Sequence, residues 1–314
     1  MDNIVRKRIE NVVKLLFAIG LIIFLVNYVD PDKIVSTFKK ADFWYLSLAI
    51  ILLPVNLLFQ FAKWKLLCQK YFSIYNNKSI WLSIFYGISG GIFTPMKSGE
   101  YFIRSLPLRG VKIVDVVIAT AVDKVIPIFF VLIIGGPFFI IFFKDIFNLS
   151  NFTILIIIAL YLISLILSIF LLFGNSIISI RLRGAVRKVS LFNKIFDKVA
   201  FIKRLDKVTL IKVIFISLLF HLTFTIQMTL LLSAYSGEFN FITFFFIANI
   251  IIFIQIVIPP IALGELGIRE GAAVYLIHSL GYSSAIGFNA AFSLFTINLL
   301  IPSIVGLLLL SKRN

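Results

Sequence analysis

The fold class the sequence predicts is an all-α, polytopic membrane bundle of about eight hydrophobic segments, arranged as an inverted repeat with two broken, re-entrant hairpins. Three observations predict it. The chain is 61% hydrophobic and 14% charged with a mean hydropathy of +1.07, which calls for a membrane as solvent. Apolar runs long enough to cross a hydrocarbon core recur from the N-terminus to the C-terminus. Two of those runs break into the same Pro, Gly and charged-residue pattern.

In chain order, the first run, Val12 to Val29, follows Arg6, Lys7 and Arg8 as a signal peptide would. Asp30-Pro31-Asp32 offers no small-residue cleavage site, so the run is predicted to be a retained first helix. Further full spans are predicted over Phe43 to Ala62, Ile113 to Phe143, Phe152 to Phe173, Leu210 to Leu232 and Ser284 to Leu310. The runs Ile80 to Thr94 and Phe241 to Pro260 end in Pro and Gly, then charge, before an apolar segment resumes, as a hairpin entering and leaving by one side would. A single transmembrane domain, 1–314, results, with inverted halves at about 43–143 and 208–310.

Charge sets the orientation. Asn175 to Lys212 carries ten Lys or Arg against Asp197 and Asp206 and is predicted to be cytoplasmic, as is the N-terminus. Within it Val189, Phe192, Ile195, Phe196, Val199 and Ile202 repeat at helical spacing, as a helix lying on the inner leaflet or one packed against the protein would. Re-entrant hairpins then place Arg104, Arg109, Lys112, Lys312 and Arg313 inside and Glu238 outside, so every strongly basic loop is cytoplasmic.

The same features exclude several functions. The net charge of +16 is dispersed over short loops, which argues against nucleic acid as a partner. Cys68 is alone and only His221 and His278 accompany it, so neither a disulfide nor a metal centre is expected, and no cofactor. Neither a G-x4-G-K-[ST] phosphate loop nor a G-x-S-x-G elbow occurs, and no enzymatic activity is expected.

The candidate site lies in the duplication. Pro95, Gly99, Glu100 and Arg104 in TPMKSGEYFIR share their spacing with Pro260, Gly264, Glu265 and Arg269 in PPIALGELGIR. Pro removes a backbone donor and ends the incoming helix, and Gly permits the turn into the next, so these four residues are the predicted hinges. Glu and Arg four apart share a helical face and neutralise each other, which lowers the cost of charge at depth. They are either static staples at two hairpin tips or a binding site, in which Arg104 and Arg269 grip a phosphate through the guanidinium fork and the carboxylates orient them. Glu270 adds a carboxylate in the second copy only.

Asp123 and Lys124 lie inside the Ile113 to Phe143 run, where an ionisable side chain costs about 2.5 kcal/mol or more. They are expected to face protein or water, unless Lys124 snorkels to the cytoplasmic edge. Pro127, Gly135, Gly136 and Pro137 suggest a kink or break in this run. His221, Gln227, Asn249, Gln255 and Asn298 are expected chiefly to make interhelical hydrogen bonds.

The SGEYFIR stretch, the GELGIREG stretch and the Ala62-Lys63-Trp64 triplet resemble the lysylphosphatidylglycerol synthase transmembrane-region family of flippase-like membrane proteins. The resemblance spans nearly the whole chain and is most specific over Pro260 to Gly271. It implies a helical membrane domain that translocates or accommodates polar lipids. The soluble aminoacyl-transfer domain of the namesake synthases is absent, so attachment of lysine to a lipid is not expected. Lys63 stands where the family often has Arg, and Asp123-Lys124 where it often has a pair with Arg; each keeps a cation but loses the fork.

The expected function is translocation of a phospholipid or an isoprenoid-linked polar lipid in the cell membrane, with lipid phosphate bound by the repeated motif. A separate lipid-modifying enzyme is the one protein partner this implies. The alternative is a secondary transporter of a small anionic solute.

Overall fold

The computed structural model describes residues 20–92, 94, 97–144, 148–173, 205–258 and 266–312. Part of the first run, most of the basic segment with its amphipathic pattern, and Pro95, Pro260, Gly264 and Glu265 lie outside the described residues. The described residues are helical, with no strand among them.

The helices are α1 (Gly20–Val29), α2 (Pro31–Lys39), α3 (Phe43–Phe72), α4 (Asn77–Ile92), α5 (Ser98–Ile103), α6 (Ile113–Phe142), α7 (Asn151–Phe173), α8 (Lys207–Ser236), α9 (Phe241–Val257), α10 (Ile268–Ser279), α11 (Ser284–Phe295) and α12 (Ile301–Ser311). A π-helical turn, Thr296–Leu300, fuses the last two into one long rod. Among the described residues, α3, α6, α8 and the α11–α12 rod are each long and apolar enough to span a bilayer. The runs α4, of 16 residues, and α9, of 17, are shorter, as hairpin legs should be.

Helix ends follow local chemistry. Asp42, Asp206 and Ser283 cap α3, α8 and α11 through their side-chain oxygens, and Ser73 and Gly237 end α3 and α8 in the left-handed conformation. Antiparallel α3 and α8 form the spine of the bundle. The Asp42 amide donates to the Ala234 carbonyl at one end, and Lys70 pairs with Asp206 at the other (2.9 Å).

The two hairpins enter from opposite ends of this spine. In the first, α5 doubles back along α4, and Leu108 beyond it packs with Leu67, Cys68, Ile80 and Leu205 at the Lys70 end. In the second, α10 returns beside α9, so that the Tyr282 hydroxyl donates to Glu238 (3.1 Å) and its ring lies against Phe244 at the Asp42 end. Each hairpin returns to the end of the spine from which it entered, as the broken apolar runs predicted.

Of the kink or break expected in α6, the break does not occur: the helix runs on through Pro127, Gly135, Gly136 and Pro137. Its glycine pair serves packing instead. A side chain at Gly135 would meet Phe253 and the Asn249 carbonyl of α9, and one at Gly136 would meet Tyr161 of α7.

Candidate functional site

Five charged side chains from three elements meet inside the bundle. Arg104, just past α5, donates from Nη2 to Glu100 (2.8 Å) and from Nη1 to Asp123 of α6 (2.9 Å). Its guanidinium plane lies over the Trp64 ring at 4.7 Å. Lys63 of α3 pairs with Asp123 (3.1 Å), donates to the Asp123 carbonyl (2.8 Å) and sits over Phe220. Lys124 closes the network on Glu100 at 2.7 Å. Lys63, Glu100, Arg104 and Asp123 are all buried, whereas the Lys124 side chain keeps 35% of its surface exposed. A buried charge this deep persists only because each has an opposite partner and a hydrogen bond.

The backbone positions this network. Thr94 bridges the break: its hydroxyl donates to the Gly90 carbonyl (2.9 Å) and accepts from the Gly99 amide (2.7 Å). A Cβ on Gly99 would collide with the Gly90 carbonyl, so the two legs touch only because that residue is Gly. Trp64 Nε1 donates to Ser83 Oγ (3.0 Å), and that hydroxyl donates to the Arg104 carbonyl (2.7 Å), tying α3, α4 and the end of α5 together.

In the second hairpin, Arg269 pairs with its neighbour Glu270 (3.0 Å) and faces the Phe295 ring. The other Glu270 oxygen accepts from the amide of Gly267 (2.6 Å), whose φ of 97° only Gly adopts readily. Arg269 and Glu270 are both buried.

Both hairpins contribute to one cavity of about 300 Å³. Lys97, Glu100 and Tyr101 line it from the first, Gln255 and Arg269 from the second, and Lys63, Asp123, Lys124, His221 and Asn298 from the walls between. Gln60 of α3 adds a further polar group, and the remaining lining is largely apolar, including Ile92, Val131, Phe220, Phe224 and Ile256. Four cations thus face the space against two carboxylates, an excess that favours an anion. Below it, Asn56, Gln227 and Asn298 bond one another at 2.8 to 3.1 Å, bridging α3, α8 and the π turn. The interhelical bonding expected of Gln227 and Asn298 is present, and Asn249 meets His221 of α8 while its amide donates to the Phe245 carbonyl of its own helix.

Most predicted site residues therefore come together: Lys63, Glu100, Asp123, Lys124 and Arg269 line the cavity, while Arg104 and Glu270 stand behind it. Arg104 differs from its expected role, because both terminal nitrogens are committed to carboxylates and the side chain is only 1% exposed. Lys124 does not simply snorkel away, since it reaches Glu100. Sequence reasoning missed Asn56, Gln60, Thr94, Lys97 and Tyr101. A signal was there for two of them: Asn56, Gln60 and Lys63 fall four and three apart, one polar stripe on an apolar helix.

A helical bundle with four helices long and apolar enough to span a bilayer, and two opposed hairpins that close on a charged internal cavity, belongs to the class of polytopic helical membrane proteins. The sequence profile described as Lysylphosphatidylglycerol synthase TM region matches residues 11–306, and the chain belongs to that family. The family indicates a membrane protein related to lipid handling. No match was found among curated proteins.

Proposed function

We propose that the chain translocates a phospholipid or an isoprenoid-linked polar lipid between leaflets of the cell membrane, without enzymatic chemistry and with its N-terminus and residues 175–212 on the cytoplasmic side. The observation that carries this reading is the cavity itself: cations supplied by both hairpins, set in apolar walls, suit a phosphate headgroup whose chains stay in hydrocarbon. Lys63, Lys97, Lys124 and Arg269 engage the phosphate; Arg104 is the strut that holds Glu100 and Asp123 in place. The π turn carries Asn298 into the cavity wall, and such turns often mark sites where a helix must adjust. Rocking one half against the other would alternate access to the two sides. A separate lipid-modifying enzyme would supply or consume the cargo.

The small volume, near the low end for ligand pockets, also suits a small anionic solute as the alternative cargo. One experiment separates the two. In liposomes, headgroup-labelled phospholipid should equilibrate between leaflets with the native chain and at least about tenfold more slowly with Lys97→Gln plus Lys124→Gln, the loss of one charge-assisted contact. Equal rates in native and variant liposomes defeat the lipid reading. Uptake of a soluble organic phosphate with no lipid movement selects the solute carrier.

A further inference from the structure

A second groove lies on the outer surface of the spine, across α3 from the central cavity. Phe61, Ala62, Lys65, Leu66 and Gln69 of α3 form one side and Lys212, Phe215 and Ile216 of α8 the other. Its polarity is graded along the helix axes. The exposed Lys70–Asp206 ion pair marks where both helices leave the apolar zone. Lys65 and Lys212 are five and six residues inside that pair, about 8 to 9 Å at the α-helical rise, and Phe61, Phe215 and Ile216 lie deeper still. The Lys65 ammonium rests over the edge of the groove, 5.7 Å from the Phe61 ring centre, and Lys212 is exposed. Among the described residues no carboxylate pairs with either lysine.

We propose that this groove is a binding site for one acidic phospholipid of the leaflet at the Lys70 end. Its phosphate sits between Lys65 and Lys212, and an acyl chain runs inward over Phe61, Leu66, Phe215 and Ile216. Charge and depth both point to that occupant. Two cations with no carboxylate partner among the described residues want an anion, and the apolar wall continues from them into the bilayer in the direction a lipid chain takes. A soluble anion would use the lysines and leave the aromatic wall bare to lipid in any case. A bound lipid here clamps α3 to α8 from outside, on the face opposite Lys63, so it would stabilise the spine that holds the charged network. The inference does not depend on what the central cavity carries.

The test uses the purified full chain in neutral detergent micelles, titrated with phosphatidylglycerol or phosphatidylcholine while thermal unfolding is followed. Phosphatidylglycerol should raise Tm in a saturable way that phosphatidylcholine does not match, as a ligand binding only the folded state must. Lys65→Gln and Lys212→Gln should each weaken that response about fivefold, and the pair together about 30-fold, from the attraction per basic residue at a membrane surface. Lys212 is exposed and Lys65 half-buried with no carboxylate partner among the described residues, so Tm without acidic lipid should stay near the native value; Lys65→Glu offers a stronger second variant. An undiminished response in the double variant overturns the assignment. So does a response lost in Lys124→Gln alone, which would place the lipid in the central cavity, or full competition by inorganic phosphate, which would make the site one for soluble anions.

Discussion

The two hairpins carry one sequence motif and use it differently. In the first, Arg104 is held by carboxylates from two elements and by the Trp64 ring, and the legs approach through Gly87, Gly90, Gly91 and Gly99. In the second, Glu270 is the one carboxylate beside Arg269 among the described residues, which do not include Glu265, and it divides its oxygens between that arginine and a backbone amide. The difference teaches that local spacing decides which residues sit at a hairpin tip, whereas their work depends on what the neighbouring helix offers. Asp123 of α6 turns Arg104 into a strut; no described carboxylate from another helix meets Arg269, which faces the cavity.

The largest effect should break this asymmetry at its root. Arg104→Ala leaves Glu100 and Asp123 buried with too few cations and should cost about 3–5 kcal/mol, read as a collapse of Tm in detergent. Arg269→Ala leaves Glu270 still bonded to the Gly267 amide and should cost about 1–3 kcal/mol. Equal losses for the two would mean the hairpins are equivalent after all.

Glycine contacts sharpen the same contrast at a smaller scale. Gly99→Ala drives a methyl into the Gly90 carbonyl and should destabilise by about 1–3 kcal/mol. At Gly271 of the second hairpin the nearest atoms to a new Cβ belong to Leu25, at 3.9 Å, so Gly271→Ala should stay within about 0.5 kcal/mol of native. Thermal unfolding of the two variants side by side checks the ranking, and a costlier Gly271→Ala would reverse it.

Lys124→Gln probes the cavity itself. The side chain is partly exposed, so Tm should change little while lipid movement slows. A variant that unfolds instead would assign Lys124 to the scaffold.

The smallest effect belongs to the exposed end of the spine, which both hairpins share. Hydrogen bonds from the Lys70 ammonium and from Thr209 hold the Asp206 carboxyl well below its usual range. A carboxyl depressed on folding contributes stability above its unfolded pKa and loses it as pH falls through the folded value. Asp206→Asn should therefore lower Tm slightly at neutral pH and leave it unchanged in acid, which flattens the acid side of the Tm against pH curve. A large neutral-pH loss would show that the ion pair carries the spine.

Much of the architecture was legible because it follows from local rules. The long apolar runs announced the spans and the short broken runs announced hairpins, since backbone in hydrocarbon must bond to itself or line a polar space; the caps at Asp42 and Asp206 emerged only in the structure. The break expected in α6 failed because Pro127 and Pro137 are tolerated within a helix packed on several sides, and because Gly135 and Gly136 were serving neighbours invisible in one dimension. Glu100 with Arg104 was likewise readable from a spacing of four.

By itself, then, the sequence determined the solvent, the helix count to within the hairpins, and the charged residues that must find partners at depth. Beyond the Glu100–Arg104 pair, the partners were a matter for the tertiary structure alone. Lys63 and Asp123 are 60 residues apart, Asn56 and Asn298 are 242 apart, and no periodicity links such positions. The reason is physical: a buried charge costs the same wherever it lies in the chain, so it fixes the need for a counter-charge, while only the packing of whole helices decides which counter-charge arrives.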